Sequence, residues 1–320
     1  MSKAEEKDNP EDKFAHRLAA IPTGSLRLDL GLGEGGISCG QFVEISGAES
    51  SGKTTLCQHI VAEAQQMGRQ CAWIDTDHSF NPIYAAQCGV ALERLVFSGP
   101  PDAEQAFDTL ETLIGTGAGI IVVLDSVDAL TSQAEFSLPL GVAASSGISG
   151  NSEKLLSLML RKLAPLVKKS QAIVLFTNRA QQQRSDAYHQ LSSHLSRLAL
   201  KLHASLRLRL QETGHIFENG VITGQRVQVN ILKNPNIPSP LRIEFDIIYD
   251  QGINHSGEVF DLGLQTGLIQ QQGKAFIFRR LDLGIGRNQA IETLERQALI
   301  QPLEQDIRQK LLRTSFSGET

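Results

Sequence analysis

The residues best suited to chemistry are Gly47-Ala48-Glu49-Ser50-Ser51-Gly52-Lys53-Thr54, which match the phosphate-loop pattern G-x-x-x-x-G-K-[ST] without a gap. Glycines let backbone approach phosphate oxygens closely, a lysine meets the β and γ charges, and a following hydroxyl can ligand Mg²⁺. The spacing predicts a nucleoside triphosphate site with Lys53 as its cation, Thr54 as its metal-side hydroxyl and Thr55 at its end. A second element of the same chemistry is Asp125, which closes the apolar run Ile120 to Leu124. A carboxylate on a neighbouring strand is what such a loop needs to hold the Mg²⁺ shell. Hydrolysis further needs a group to orient or deprotonate water. Asp75 and Asp77, just past the run Cys71 to Ile74, are candidates because strand carboxyl ends face the ligand crevice in open α/β sheets.

These side chains must be held by strands and helices in alternation. Gln41 to Ser46 reads as a buried strand before the loop, and Thr55 to Met67 has helical spacing after it. Further apolar runs at Gln70 to Ile74, Arg94 to Phe97, Gly119 to Leu124 and Ala172 to Thr177 predict a mainly parallel sheet. Strand-rich segments continue at Ala204 to Gln211, Gln225 to Leu232 and Leu241 to Ile248. After about Asn254 the pattern changes: Gly257 to Leu268 and Arg287 to Leu312 are helical in period, around the apolar stretch Ala275 to Phe278. The expected division is a polar tail at 1–20, a core at 21–254 and a small α/β lobe at 255–320. Two long irregular segments, 137–151 and 180–195, interrupt the core, and loops of that length are usually functional or disordered.

Composition narrows the classes. The chain has 320 residues, 41% hydrophobic and 20% charged, with formal net charge −5. No stretch reaches about 18 apolar residues and Met1 to Ala15 is polar, which implies a cytoplasmic protein with no membrane partner. Cys39, Cys57, Cys71 and Cys88 lack C-x-x-C spacing and read as free, mainly buried thiols. Gly31 to Gly36 fits the dinucleotide fingerprint G-x-G-x-x-G, yet Leu26 to Leu30 before it alternates with charges and no helix follows, so it signals no cofactor. Charge is unevenly placed. Lys154 to Arg209 holds eleven Lys or Arg (154, 161, 162, 168, 169, 179, 184, 197, 201, 207 and 209) against Asp186 alone, a local basic field that suits a nucleic acid or is a set of solvated helix faces.

Five ordered blocks then carry a resemblance: GAESSGKTTL, AWIDTDHSFNPIYA, IIVVLDSVDALT, LRKLAPLVKKSQAIVLFTN and IEFDIIYDQGIN. In this order, from about Ile21 to Phe278, the chain resembles the bacterial RecA recombinase family. The resemblance implies an α/β fold, a RecA-type P-loop NTPase core with a mainly parallel twisted sheet flanked by helices, plus a small C-terminal α/β lobe. It implies ATP and Mg²⁺ as cofactors, and single-stranded DNA, homologous duplex and further copies of the chain as partners. Lys53, Thr54 and Asp125 would hold ATP and Mg²⁺, Tyr84 would stack on adenine, and Lys201 and Lys233 match lysines linked to the γ-phosphate, the second reaching from a neighbouring subunit. Ser157 and Arg161 would face the DNA backbone, as would Arg184 and Arg197, counted with the second loop. Several positions depart from the family pattern. Asp77 stands in place of a glutamate, Arg179 in place of a neutral γ-phosphate-sensing glutamine, and Pro235 in place of a second trans lysine. Ser196 and Arg197 replace paired glycines, and Met1 to Arg17 corresponds to a shortened polymerisation segment. A working recombinase ATPase and a nucleotide-binding accessory paralogue with little turnover both fit these residues. A small-molecule kinase does not, since no lid with clustered arginines follows the core.

Overall fold

The computed structural model describes residues 18–137, 151–179, 198–218 and 220–316. The segments 138–150 and 180–197, which contain nearly all of the two expected loops together with Arg184, Ser196 and Arg197, lie outside the described residues. The strands are β1 (Gln41–Gly47), β2 (Cys71–Asp75), β3 (Leu95–Ser98), β4 (Ile121–Asp125), β5 (Ile173–Arg179), β6 (Leu206–Glu218), β7 (Val221–Lys233), β8 (Leu241–Ile248), β9 (Gly252–Ile253), β10 (Ile269–Gln272), β11 (Ala275–Phe278) and β12 (Leu281–Ile285). The first nine form one sheet in the order β3-β2-β4-β5-β1-β6-β7-β8-β9, and the last three a small second sheet. Strands β3 to β6 in that order run parallel, and β7, β8 and β9 continue antiparallel. The principal helices are α1 (Leu26–Leu32), α2 (Lys53–Gln66), α3 (Pro82–Gln87), α4 (Ala103–Thr116), α5 (Gln133–Phe136), α6 (Asn151–Ser170), α7 (His255–Gln265), α8 (Arg287–Arg296) and α9 (Ile300–Phe316). The chain is thus an α/β protein with a mainly parallel sheet flanked by helices and a smaller C-terminal sheet, as the sequence led us to expect.

Apolar runs with no polar face explain the layering, because a parallel strand covered on both faces by helices has no wet side. Side chains alternate between faces. Val43, Ile45, Trp73, Val123 and Leu175 pack toward Leu56 and Ile60 of α2. Their neighbours Phe42, Ile74, Val122, Leu124 and Phe176 pack toward α4 and α6 through Leu110, Leu156 and Leu160. A third apolar cluster joins Val259 and Phe260 of α7 to Phe276 and Phe278 of β11, Leu294 of α8 and Leu303 of α9.

Some elements differ from their sequence pattern. The sequence L-R-L-D-L-G-L at 26–32 alternates yet forms a helix, capped by Ser25, whose hydroxyl accepts from the Leu28 N–H. It has two apolar sides because it serves two cores: Leu28 and Leu32 face the sheet, while Leu26 and Leu30 pack into the C-terminal cluster. Strands β6 and β7 extend well beyond the expected segments, since ladder pairing continues through exposed residues that carry no burial period. The helical pattern Arg287 to Leu312 is two helices, broken around Ala298, which has φ 53°.

The C-terminal cluster is tied to the core by a short charge relay. His255 lies with Nδ1 3.2 Å from the Gly24 carbonyl and Nε2 3.1 Å from Glu304 Oε2. Arg308 donates to Glu304 at 2.8 Å and to Asp29 at 3.3 Å. Both groups facing the imidazole are acceptors, so both bonds form together only when the ring is protonated. Desolvation, the largest single influence, works to lower its pKa, but the Glu304 bond and charge, the Glu258 charge and the Gly24 carbonyl together hold His255 above the usual histidine value of 6.5. A histidine raised in the folded state stabilises fully below its unfolded value and loses that contribution as pH rises through the folded one. His59 acts in the opposite sense, because burial pushes it down to about 4. The wild-type minus His255→Gln difference in unfolding midpoint is therefore expected to shrink from about pH 6 to about pH 8.5 in a thermal melt series. A difference that is constant with pH would remove His255 from this role.

Candidate functional site

The loop after β1 curls because Ser50 adopts φ 57° and Gly52 φ 89°. Glycine is required at Gly52 by that angle, and at Gly47 by space, where a Cβ would lie 2.6 Å from the Leu210 carbonyl oxygen. Helix α2 begins at Lys53 with no side-chain cap, so its first N–H groups remain available to an anion and its dipole favours one. Lys53 Nζ donates to the carbonyls of Gly47 at 3.2 Å and Ala48 at 2.7 Å, holding the loop on itself. Desolvation pushes the lysine below its ordinary pKa, with the Asp125 charge opposing the shift.

Asp125 closes β4 beside the loop and is 4% exposed. Thr54 Oγ1 donates to its Oδ2 at 2.9 Å, and Thr177 Oγ1 on β5 donates to its Oδ1. Burial raises the carboxyl pKa, these two bonds lower it, and the nearby Asp77 and Asp75 raise it again. A hydroxyl and a carboxylate at 2.9 Å suit a divalent cation. Among the described residues no group of three or more His, Cys, Asp or Glu is placed to hold a metal by protein alone. Thr54 and Asp125 would supply the protein's share of a Mg²⁺ shell, which phosphates and water complete. The strand ends are held in register by Glu44 of β1, 2% exposed, which accepts from Asn178 Nδ2 of β5 at 3.0 Å and Arg207 Nε of β6 at 2.5 Å.

A cavity of about 340 Å³ opens beside the loop, lined by Ser50 to Thr55 with Tyr84, Gln225, Ile247 and Tyr249. Tyr84, placed by α3, shares a hydrogen bond of 3.1 Å with Thr55 Oγ1. Gln225 Nε2 donates to the Ser50 carbonyl at 3.0 Å, bracing the strained loop. Sequence reasoning missed Gln225, Ile247 and Tyr249. The one available signal was Tyr249, an aromatic residue just past a strand end.

The two water-orienting candidates separate. Asp75 is buried, and its oxygens accept from the backbone N–H groups of Ser79 at 3.2 Å and Phe80 at 3.1 Å, a turn-holding arrangement. Asp77 is exposed; its Oδ1 accepts from Ser79 N at 3.2 Å and Ser79 Oγ at 2.6 Å, and its carboxyl group also interacts with that of Asp75. Arg179 ends β5 beside Gly47, with its N–H donating to Asp128 and its charge acting on Lys53.

Lys201 and Lys233 are not brought to the loop. Gly47 pairs with Leu210, whereas Lys233 pairs with Arg207 toward the other end of β6, and Lys201 precedes that strand. Lys233 Nζ donates to the Ala204 carbonyl at 2.7 Å. Within one chain neither lysine lines the cavity. On α6, Lys154, Arg161 and Lys168 recur at seven-residue spacing and are exposed, opposite the buried Leu156, Leu160 and Leu163. Ser157, half-buried, lies one turn before Arg161, whose Nε reaches the Ser157 carbonyl at 3.4 Å. Lys162 and Arg207 belong to ion pairs with Glu111 and Glu44, so the basic field is thinner than its residue count. No helix among the described residues is long and apolar enough to cross a membrane. Cys57, Cys71 and Cys88 are buried and Cys39 partly so, all as free thiols.

Comparison with known proteins agrees with the order of these elements. The family model for the RecA N-terminal domain matches residues 9–254, and that for the RecA C-terminal domain matches 257–312. Protein RecA of Bartonella quintana is 41% identical over 283 residues, covering 88% of this chain and 80% of that protein. Protein RecA of Chloroflexus aurantiacus is 39% identical over 296 residues, covering 92% and 83%. Protein RecA of Herpetosiphon aurantiacus is 40% identical over 292 residues, covering 91% and 80%.

Proposed function

From its membership of the RecA family, to which this chain belongs, we propose that the protein is a recombinase that binds ATP and Mg²⁺, assembles on single-stranded DNA and exchanges it with a homologous duplex. One observation carries the nucleotide part: an uncapped helix start bearing Lys53, with Thr54 bonded to the strand-end carboxylate Asp125. The backbone of Gly47 to Thr55 would cradle the phosphates, Lys53 would meet the β and γ charges, and Tyr84 with Tyr249 would flank the base. Thr54 and Asp125 would hold Mg²⁺, which supplies charge neutralisation of the phosphates during transfer. Arg179 would add a permanent cation near the γ-phosphate, and Asp77 would orient the attacking water. Lys201 and Lys233 would contribute from an adjacent copy, so self-association belongs to the reading.

A second reading has its own observation. Asp77 is one methylene shorter than glutamate, and one of its oxygens already accepts two bonds from Ser79. This favours an accessory module that binds ATP and turns it over slowly. Measuring ATP hydrolysis with and without single-stranded DNA, with electron microscopy of the same mixtures, separates the two. Stimulated turnover with filaments selects the recombinase, and ATP binding without either selects the accessory module.

The DNA part rests on the exposed stripe of α6 and the basic residues of 180–197. Affinity for single strands is expected to fall with salt, with a log–log slope of about −0.7 per phosphate neutralised. Arg161→Ala, and Arg184→Ala with Arg197→Ala, are expected to flatten that slope with little dependence on base sequence, since backbone contacts position without specifying. Fluorescence anisotropy of a labelled oligonucleotide with ATP and Mg²⁺ measures both. Absence of ATP-dependent binding at low salt would return the stripe to an ordinary solvated face.

A further inference from the structure

Strand β5 is apolar from Ile173 to Phe176 and turns polar at Thr177. Ile173 and Leu175 pack into the core on the α2 side of the sheet, and Thr177, two residues further on, is fully buried on the same face. A buried hydroxyl without a partner is destabilising, so an aliphatic residue of the same shape would suit the position unless the hydroxyl has a task. Among the described residues its one side-chain bond is the donation to Asp125 Oδ1. Strands β4 and β5 pair in register up to Leu124 and Phe176, which sets Thr177 beside Asp125. Threonine is β-branched and stiff at χ1, so the backbone of β5 fixes where its hydroxyl points.

The two hydroxyls on Asp125 therefore differ in kind. Thr54 bonds Oδ2 from the open side, in the loop that would receive phosphate and metal. Thr177 bonds Oδ1 from within the core, on a strand that Asn178 also ties to Glu44. One hydroxyl faces the ligand, and the other fixes the carboxylate from behind. We infer that Thr177 is a positioning residue that sets the plane of the Asp125 carboxylate, so that Oδ2 is presented to Mg²⁺ and its water shell. The inference rests on the nucleotide reading of the loop. Partners of this kind, behind a metal-directed group, typically change metal affinity by about 10–100-fold when removed.

The test is a Mg²⁺ titration of the full chain at fixed N-methylanthraniloyl-ATP, read by fluorescence, for the parent, Thr177→Val, Thr177→Ala and Thr177→Ser. Valine keeps the shape and removes the donor, alanine removes it with less bulk, and serine restores it. Valine and alanine are each expected to raise the Mg²⁺ midpoint about tenfold or more, with Mg²⁺-free nucleotide affinity within about twofold and serine close to the parent. A purely structural Thr177 would lower the unfolding temperature of the valine and alanine chains and leave the Mg²⁺ midpoint in place. That result overturns the inference alone. No Mg²⁺-dependent binding in the parent overturns the loop reading and this inference together.

Discussion

Lys53→Ala is expected to abolish ATP-dependent behaviour while leaving the fold intact. Lys53 is the only cation in the loop, and its ammonium spans the carbonyls of Gly47 and Ala48 at the mouth of the cavity. Losing a charge-assisted hydrogen bond to phosphate costs about 1.5–3 kcal/mol in binding, roughly tenfold to over a hundredfold. Removing a donor that strengthens toward the transition state costs a further factor of about 10²–10³ in turnover. The side chain contributes little to packing, since its bonds go to loop carbonyls that water can reach, so the melting temperature should change little. Isothermal titration with ATP and Mg²⁺, a steady-state hydrolysis assay and a thermal melt check the three parts. Hydrolysis at the parental rate would place the active site elsewhere.

How far the sequence foretold this site depends on whether its chemistry and its backbone coincide locally. Strand β1, the loop and α2 are consecutive, so glycine spacing, lysine and hydroxyl all lie in one window. Asp125 was legible for a similar reason: an apolar run with a terminal carboxylate is both a strand and a ligand signal. Gln225, Ile247 and Tyr249 were not. They come from β7 and the end of β8, nearly two hundred residues past the loop, and reach the cavity only because the antiparallel strands extend the sheet beside β6. Thr177 was hidden by its surroundings, because a threonine inside a β-branched, apolar strand carries no periodic signal of its own. Helix α1 was obscured by packing on two sides, which turns a helical segment into an alternating one. Lys201 and Lys233 show the converse. Their match to the family is local, while their position toward the far end of β6 and β7 is topological, and only the sheet register reveals that they lie away from the loop of their own chain.

Asp77→Asn is expected to lower turnover by at least about a hundredfold with ATP affinity little changed, because a group that orients water is needed in the transition state and hardly at all in the bound ground state. The companion variant is more telling. Asp77 is exposed and near enough to Asp125 for its charge to act there, with Oδ1 engaged by both Ser79 donors. Its reach falls short of a glutamate by one carbon–carbon bond, about 1.5 Å. Misplacement of about 1 Å can cost on the order of a hundredfold in rate. Asp77→Glu is therefore expected to hydrolyse ATP faster than the parent. Ser79→Ala, which frees Oδ1, should act in the same direction more weakly, since it removes one of the two donors and leaves the backbone N–H. Single-turnover hydrolysis with the protein in saturating excess over ATP measures all three without interference from product release. A faster glutamate variant identifies a tuned-down enzyme whose slow step is water positioning. Unchanged turnover in both Asp77→Asn and Asp77→Glu clears Asp77 of any role, and Asp75, whose oxygens are both committed to the 79–80 backbone, could not take its place without unfolding that turn.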